Sequence, residues 1–472
     1  MNNEKLDYFM VSATMILSTL VLFVYNIYVR KYVMPYEYGI YTSANMLLLY
    51  LNYAQMGVLN SYNRDYPQLL GAKNYQAASH VKNIVFTYLI MLYGLTFLVL
   101  MILFAFLITS QILELKLGIG LLVNSFFAFL TAIYNFMDNS LKSEKKFKYS
   151  SLIRIIKTTI LVLTGYFVIS TYKYYGLFIS TGVSLIFIIL LNIKFFFSLK
   201  ISINKSIITD MIRSGLPLLV NGLIWTIMMS VDKFVILFFM SMEDLGVYSV
   251  ALLGFSTLVI IPQSITQIFY IKMSQKYGET NNIDVLVNYA KRYTLYLSII
   301  TSFIVIGAYY ILPIFIENLM PNYADSIKSA QILVIGVGLY STTLLYSNVF
   351  SVIRRNAVLI KSTIVLSLLN IVMSSSLVIL LGKNIEHVAY GTSISYALYA
   401  LVLVFMLSKT LKQSYWNLIQ NSLLPVIISI ILLIIISLTI KNSFYGLLLN
   451  ITLAFIFLSC LYKDDIWNKN QN

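Results

Sequence analysis

Charge is scarce in this chain. Only 11% of its 472 residues are Asp, Glu, Lys or Arg, while 59% are hydrophobic. A soluble chain carries about 25% charged residues, so no room is left for a sizeable soluble domain. Cysteine is nearly missing, and Cys460 standing alone excludes an internal disulfide and any multi-cysteine metal site. The two histidines, His80 and His387, make no metal cluster. The sequence has no nucleophile–base–acid constellation and no Walker-type GxxxxGKS/T loop. Those absences argue against an enzyme, against a cofactor and against ATP hydrolysis by this chain.

What is abundant is apolar length. Runs of 18 or more apolar residues recur, and each reads as a membrane-crossing helix. Fourteen spans are expected, at roughly 9–30, 39–62, 82–110, 117–141, 152–170, 176–198, 215–240, 246–271, 292–312, 327–350, 358–381, 388–408, 422–440 and 445–462. The first follows acidic residues and lacks a small-x-small cleavage site, so it is expected to remain as a helix. Lysine and arginine set the orientation. With the N-terminus inside, seven of the 33 basic residues face outward (Arg30, Lys31, Lys116, Lys173, Lys328, Lys383 and Lys441). Lys233 lies within a helix, which leaves 25 on the inner side. Both termini are therefore expected in the cytoplasm. The net charge of +15 then belongs to basic loops against an anionic leaflet and needs no nucleic acid.

Within this scaffold the sequence repeats. Glu37-Tyr38-Gly39-Ile40-Tyr41, followed by Ala44, returns as Asp244-Leu245-Gly246-Val247-Tyr248, followed by Ala251, at an offset of 207. The same offset carries Gly71 onto Gly278, Asn74 onto Asn281 and Arg154 onto Lys361. It pairs helices 1–6 with helices 7–12. Six is even, so the copies run in the same direction about an axis along the membrane normal. The expected organisation is all-α: a six-helix bundle at 1–198, an interfacial linker at 199–214, a second six-helix bundle at 215–408, and two further helices with a tail at 409–472. Two like halves in a membrane place a pathway between them, which points to transport. An ion gradient, the membrane potential or consumption on the far side must then drive it.

These features resemble the polysaccharide-export branch of the multidrug/oligosaccharidyl-lipid/polysaccharide exporter superfamily, and more closely its Wzx-type lipid-linked oligosaccharide flippases. The resemblance rests on Tyr38-Gly39-Ile40-Tyr41, on Ser214-Gly215-Leu216-Pro217 opening helix seven, on Asp232-Lys233-Phe234 within it, and on the run from Glu243 to Ala251 opening helix eight. It implies a V-shaped pair of bundles around a central cavity, working by alternating access. It implies a polyprenyl-diphosphate-linked oligosaccharide as substrate, with the polyprenyl tail in the lipid bilayer. It also implies a bacterial cytoplasmic membrane as the location, and a polysaccharide polymerase and other assembly proteins as partners.

Asp232 and Lys233 are the ionisable residues expected deep in a helix, where each costs about 2.5–3.5 kcal/mol to insert. Asp232 shares a helical face with Asn221, Trp225 and Met228 or Met229. Either Asp232 binds a coupling cation and Lys233 an anionic headgroup, or the two serve an interhelical ion pair or a snorkelling contact. Arg154 and Lys361, at equivalent helix starts, either receive the diphosphate or anchor the inner face. Asn45, Asn52 and Gln55 in helix two, and Gln263, Gln267 and Tyr270 in helix eight, either bond sugar hydroxyls or join helices. Pro217 and Pro262 kink helices of the second half. Three alternatives are weighed. A cation-coupled drug exporter would use an acid in helix one, yet none lies between Asp7 and Glu37. A membrane polysaccharide polymerase would need a long charged outer loop. A peptidoglycan-precursor flippase would carry more cavity arginines.

Overall fold

The computed structural model describes residues 3–280, 282–440 and 443–462. Asn281, Lys441 and the tail 463–472 lie outside the described residues. The described residues form α-helices and one 3₁₀ segment (Pro321–Ser326), with no strand among them. Among the described residues, eleven helical segments are long and apolar enough to cross a membrane. The protein is a multi-pass membrane protein.

The chain divides into two units, 1–223 and 224–472. The first contains α1 (Asn3–Tyr32), α2 (Pro35–Leu51), α3 (Val58–Gly71), α4 (Tyr75–Thr109), α5 (Leu115–Ser143), α6 (Phe147–Leu191), α7 (Ile193–Phe197) and most of α8 (Lys205–Met228). The second contains α9 (Val231–Phe239), α10 (Met242–Thr280), α11 (Ile283–Leu319), α12 (Ile327–Ser341), α13 (Leu344–Val352), α14 (Asn356–Leu381), α15 (Ile385–Leu411), α16 (Tyr415–Thr439) and α17 (Ser443–Leu461).

Among the described residues eleven segments stand where fourteen spans are expected, because 9–30 and 39–62 are not among the eleven and 152–170 and 176–198 are counted within one segment. The span at 39–62 breaks after α2, where Gly57 takes a left-handed φ of 88° that a side chain resists. The span at 215–240 breaks at Met229–Ser230, where the Ser230 hydroxyl bonds back to the Thr226 carbonyl at 2.8 Å. The span at 327–350 breaks at Thr342–Thr343, whose hydroxyls donate to Leu339 and Tyr340 carbonyls at 2.7 Å each. Such back-bonding offers the backbone an alternative and bends helices. The expected spans 152–170 and 176–198 both fall within α6 and stay distinct, because the backbone turns at Lys173 (φ 45°, ψ −116°) and Gly176 packs back against Ile169. The expected linker turns helical at Lys205, and α8 and α10 run on through Pro217 and Pro262.

Lipid gives helices no hydrophobic reason to associate, so close packing and small residues hold them. In the first unit Tyr62, Tyr66, Val85, Leu89, Ala128 and Phe136 join α3, α4 and α5, and Met211 brings α8 onto them. At this contact Gly57 and Gly215 meet backbone to backbone, and a Cβ on either would overlap the other. Ser61 donates to the Met211 carbonyl at 2.6 Å and shares a 2.8 Å bond with Ser214. The Ser214-Gly215 motif is thus a docking point for α8. In the second unit Val305, Ile306, Tyr310, Val334, Leu433 and Ala454 join α11, α12, α16 and α17, so the two extra helices belong to that unit's core.

Candidate functional site

Asp232 occupies the first turn of α9, where orphan N–H groups favour an anion. It is buried. Its Oδ2 accepts from the Tyr248 hydroxyl of α10 at 2.7 Å. Its Oδ1 accepts from Asn370 Nδ2 of α14 at 3.0 Å and from Thr392 Oγ1 of α15 at 2.7 Å. Ser374 donates to Asn370 Oδ1 at 2.8 Å, and the Val388 carbonyl lies 3.1 Å from Thr392 Oγ1 and 3.4 Å from Ser374 Oγ. Gly391 permits this closeness, because a Cβ there would strike the Ser374 backbone. Four helices thus converge on one carboxylate. The oxygens of Asp232, Asn370, Ser374, Thr392 and Val388 form a hard-oxygen cluster with a single carboxylate, which suits a monovalent cation or a proton.

The repeat has a counterpart in the first unit. The 207 offset puts Tyr41 where Tyr248 stands and Tyr25 where Asp232 stands. The Tyr25 hydroxyl lies 3.1 Å from Ser180 Oγ, and Gly165 faces the Tyr25 ring with no room for a side chain. A phenol fills the place of the carboxylate.

A second feature of the 224–472 unit is a groove of about 480 Å³ between α10 and α13, lined by Gln263, Thr266, Gln267, Tyr270, Asn348 and Ser351 among others. Asn348 Nδ2 also donates to the Thr266 carbonyl at 3.4 Å.

The model of the polysaccharide biosynthesis protein family matches residues 29–320, more than half of the chain. The chain belongs to this family. No curated protein matches it. Among solved structures, this family member is similar to the lipid II flippase MurJ in an inward closed conformation, with a TM-score of 0.71 and 19% identity over 97% of this chain and 99% of that one. It is also similar to a multidrug resistance MATE family transporter of the MOP superfamily in an inward-facing conformation, with a TM-score of 0.70 and 15% identity over 84% and 96%. A MOP superfamily transporter from Pyrococcus furiosus Vc1 gives a TM-score of 0.59 and 17% identity over 86% and 95%. At these identities the likeness establishes a shared fold, that of transporters and flippases rather than enzymes.

The other expected residues fall in varied places in this polysaccharide-family chain. Asn221 and Trp225 are exposed on α8, while Asp232 is buried on α9 beyond the break, so no single helical face carries all three. Lys233 is half-buried, and no ion pair joins it to Asp232 among the described residues. Arg154 lies 3.8 Å from Asp138, which also takes Lys142 and Ser150 at 2.5 Å each. Lys361 is exposed and makes no ion pair among the described residues. Gln55 serves the turn before α3, accepting from Leu59 N at 2.8 Å and donating to Asn60 at 2.9 Å. Asn52 ends α2, and Asn45 reaches Tyr41. Gln263 and Gln267 meet in the groove.

Sequence reasoning missed Asn370, Thr392 and Asn348. It also did not foresee the contacts of Arg30. The structure buries Arg30 within α1, 2% exposed, with its guanidinium 4.2 Å from the Tyr38 ring centroid and Nη1 donating to Asn26 at 3.1 and 3.2 Å. The available signal was Asn26 one helical turn before Arg30.

Proposed function

We propose that this chain is a cation-driven flippase. It carries polyprenyl-diphosphate-linked oligosaccharide repeat units across a bacterial cytoplasmic membrane, by alternating access, for surface-polysaccharide assembly. The observation that carries the reading is a groove of amides and hydroxyls without charge, in a member of the polysaccharide biosynthesis protein family. Sugars are recognised through hydroxyl hydrogen bonds, which such side chains both donate and accept.

In this reading Asp232 takes the coupling cation. A cation at its carboxylate competes with the donors of Tyr248, Asn370 and Thr392, which must turn away. Cation uptake thereby loosens α9 from α14 and α15 and biases one packing over another. Lys361 and Lys233 are available to the diphosphate, whereas Arg154 must first release Asp138. Asn45 and Asn52 add hydrogen-bonding groups in the first unit. Both termini face the cytoplasm, and a polysaccharide polymerase receives the product.

The rival reading is a cation-coupled multidrug exporter, favoured by the fold likeness to a MATE family transporter. The groove opposes it, since no carboxylate lines it to receive a cationic drug. Deletion of the chain in its host, followed by mass analysis of polyprenyl-linked intermediates, tests the proposal. Accumulation of a complete oligosaccharide-diphosphate-lipid with loss of surface polymer is expected. Unchanged intermediates with altered sensitivity to cationic drugs would overturn the flippase reading.

A further inference from the structure

We propose that the groove between α10 and α13 selects an uncharged sugar, with further cations at the basic end of the same groove receiving the diphosphate in addition to the candidates already named. This inference rests on the flippase reading.

Gln263, Gln267 and Tyr270 stand at i, i+4 and i+7 on α10 and so share one face. Asn348 and Ser351 stand at i and i+3 on α13 and complete the lining. The volume of about 480 Å³ lies within the range of small-molecule sites. No Asp, Glu, Lys or Arg lines it. The unit does not lack charge. Its larger pocket, about 630 Å³, is lined by Glu243, Asp244, Asp325, Lys328, Lys383 and Glu386. The neutrality of the amide groove is therefore local. A uronate entering it would shed water with no cation to receive it, and an amino sugar would find no carboxylate. Hydroxyl and acetamido groups instead exchange water for amide partners.

Cations gather at one end. Lys272 follows Tyr270 by two residues, about 3 Å along the axis. Arg354 and Arg355 follow Ser351 in the turn after α13. All three are exposed, and none pairs with a carboxylate among the described residues. Cations that no carboxylate neutralises, Lys272 resting 5.8 Å from the Phe269 ring centroid, order the ligand beside a neutral groove. Phosphate oxygens take charge-assisted bonds at the basic end, and the first sugars extend along α10 toward Pro262.

The test uses the full chain in lipid nanodiscs, titrated with two synthetic polyprenyl diphosphates. One carries N-acetylhexosamine and the other the matching uronic acid. The neutral lipid is expected to bind at least about tenfold tighter, a difference of about 1.4 kcal/mol. Gln267→Lys is expected to narrow that ratio, and Lys272→Ala combined with Arg355→Ala to weaken both ligands equally. Equal or tighter binding of the uronate by the unmodified protein overturns the selectivity while leaving the flippase reading standing. Unchanged affinity in the double variant removes the phosphate end. Failure of both lipids to bind overturns the flippase reading itself.

Discussion

Tyr25 and Asp232 are related by the 207-residue offset of the repeat; Tyr25 packs against α6, and Asp232 is met by α10, α14 and α15. The first is a phenol bonded to a serine. The second is a carboxylate bonded to three donors from three helices. The same contrast recurs at the helix starts, where Arg154 is tied to Asp138 while Lys361 is exposed. The first unit spends its polar groups on internal bonds, as at the Gln55 turn and the Ser61–Ser214 contact. The second keeps a buried carboxylate with no ion pair among the described residues, and a polar groove. The sequence pattern recurs in both units, while the polar chemistry at the matching positions differs.

The largest effect is expected from Asp232→Asn, which should abolish cation-dependent transport with normal protein level; full activity would remove the coupling role. Tyr248→Phe should lower transport several-fold and shift its cation dependence. Tyr41→Phe should do neither, and equal losses from the two would erase the contrast between the units. Next in size, Gly57→Ala or Gly215→Ala should cost about 1–3 kcal/mol through overpacking, read as a lower unfolding midpoint in detergent. An unchanged midpoint would mean α8 does not dock there.

A smaller effect concerns Glu144, between α5 and α6. Burial pushes its carboxyl up, but bonds from Lys146, Lys82 and Tyr66 prevail and hold it below the usual 4.5. Its stabilisation is thus complete above about pH 4.5 and lost as pH falls through the lowered value. Glu144→Gln should flatten that acid limb, seen by unfolding the variant and parent between pH 3 and 6 (roughly the carboxylate range). The smallest effect separates the paired cations. Lys361→Ala should weaken lipid-diphosphate binding at unchanged stability, and Arg154→Ala should lower stability first. The double variant should lose more binding than either, and unchanged binding would end the diphosphate role for both.

Much of the fold was legible because membrane helices announce themselves by apolar length, and the Tyr41 and Tyr248 motifs mark real helix starts. The helix breaks were not legible. Ser230, Thr342 and Thr343 look like ordinary polar residues until their hydroxyls turn back to the carbonyls behind them. Half of the candidate site was readable, since a carboxylate within an apolar run is costly wherever it lies. Its partners Asn370 and Thr392 stand 138 and 160 residues away, and no local pattern links them to it. The burial of Arg30 was not legible either, because counting cations by loop says nothing of what a helix-end arginine packs against.

One consequence follows from the number of charges at Asp232. If one cation enters at the carboxylate per turnover, its charge makes one contribution to the driving force, apart from that of the diphosphate itself. A membrane potential of 100 mV then supplies about 2.3 kcal/mol. At about 1.4 kcal/mol per decade, that sustains a leaflet-to-leaflet ratio near 50 to 1. On the proposed reading the cation's share of the work is thus bounded by that ratio, and removal of the product on the far side would add to it.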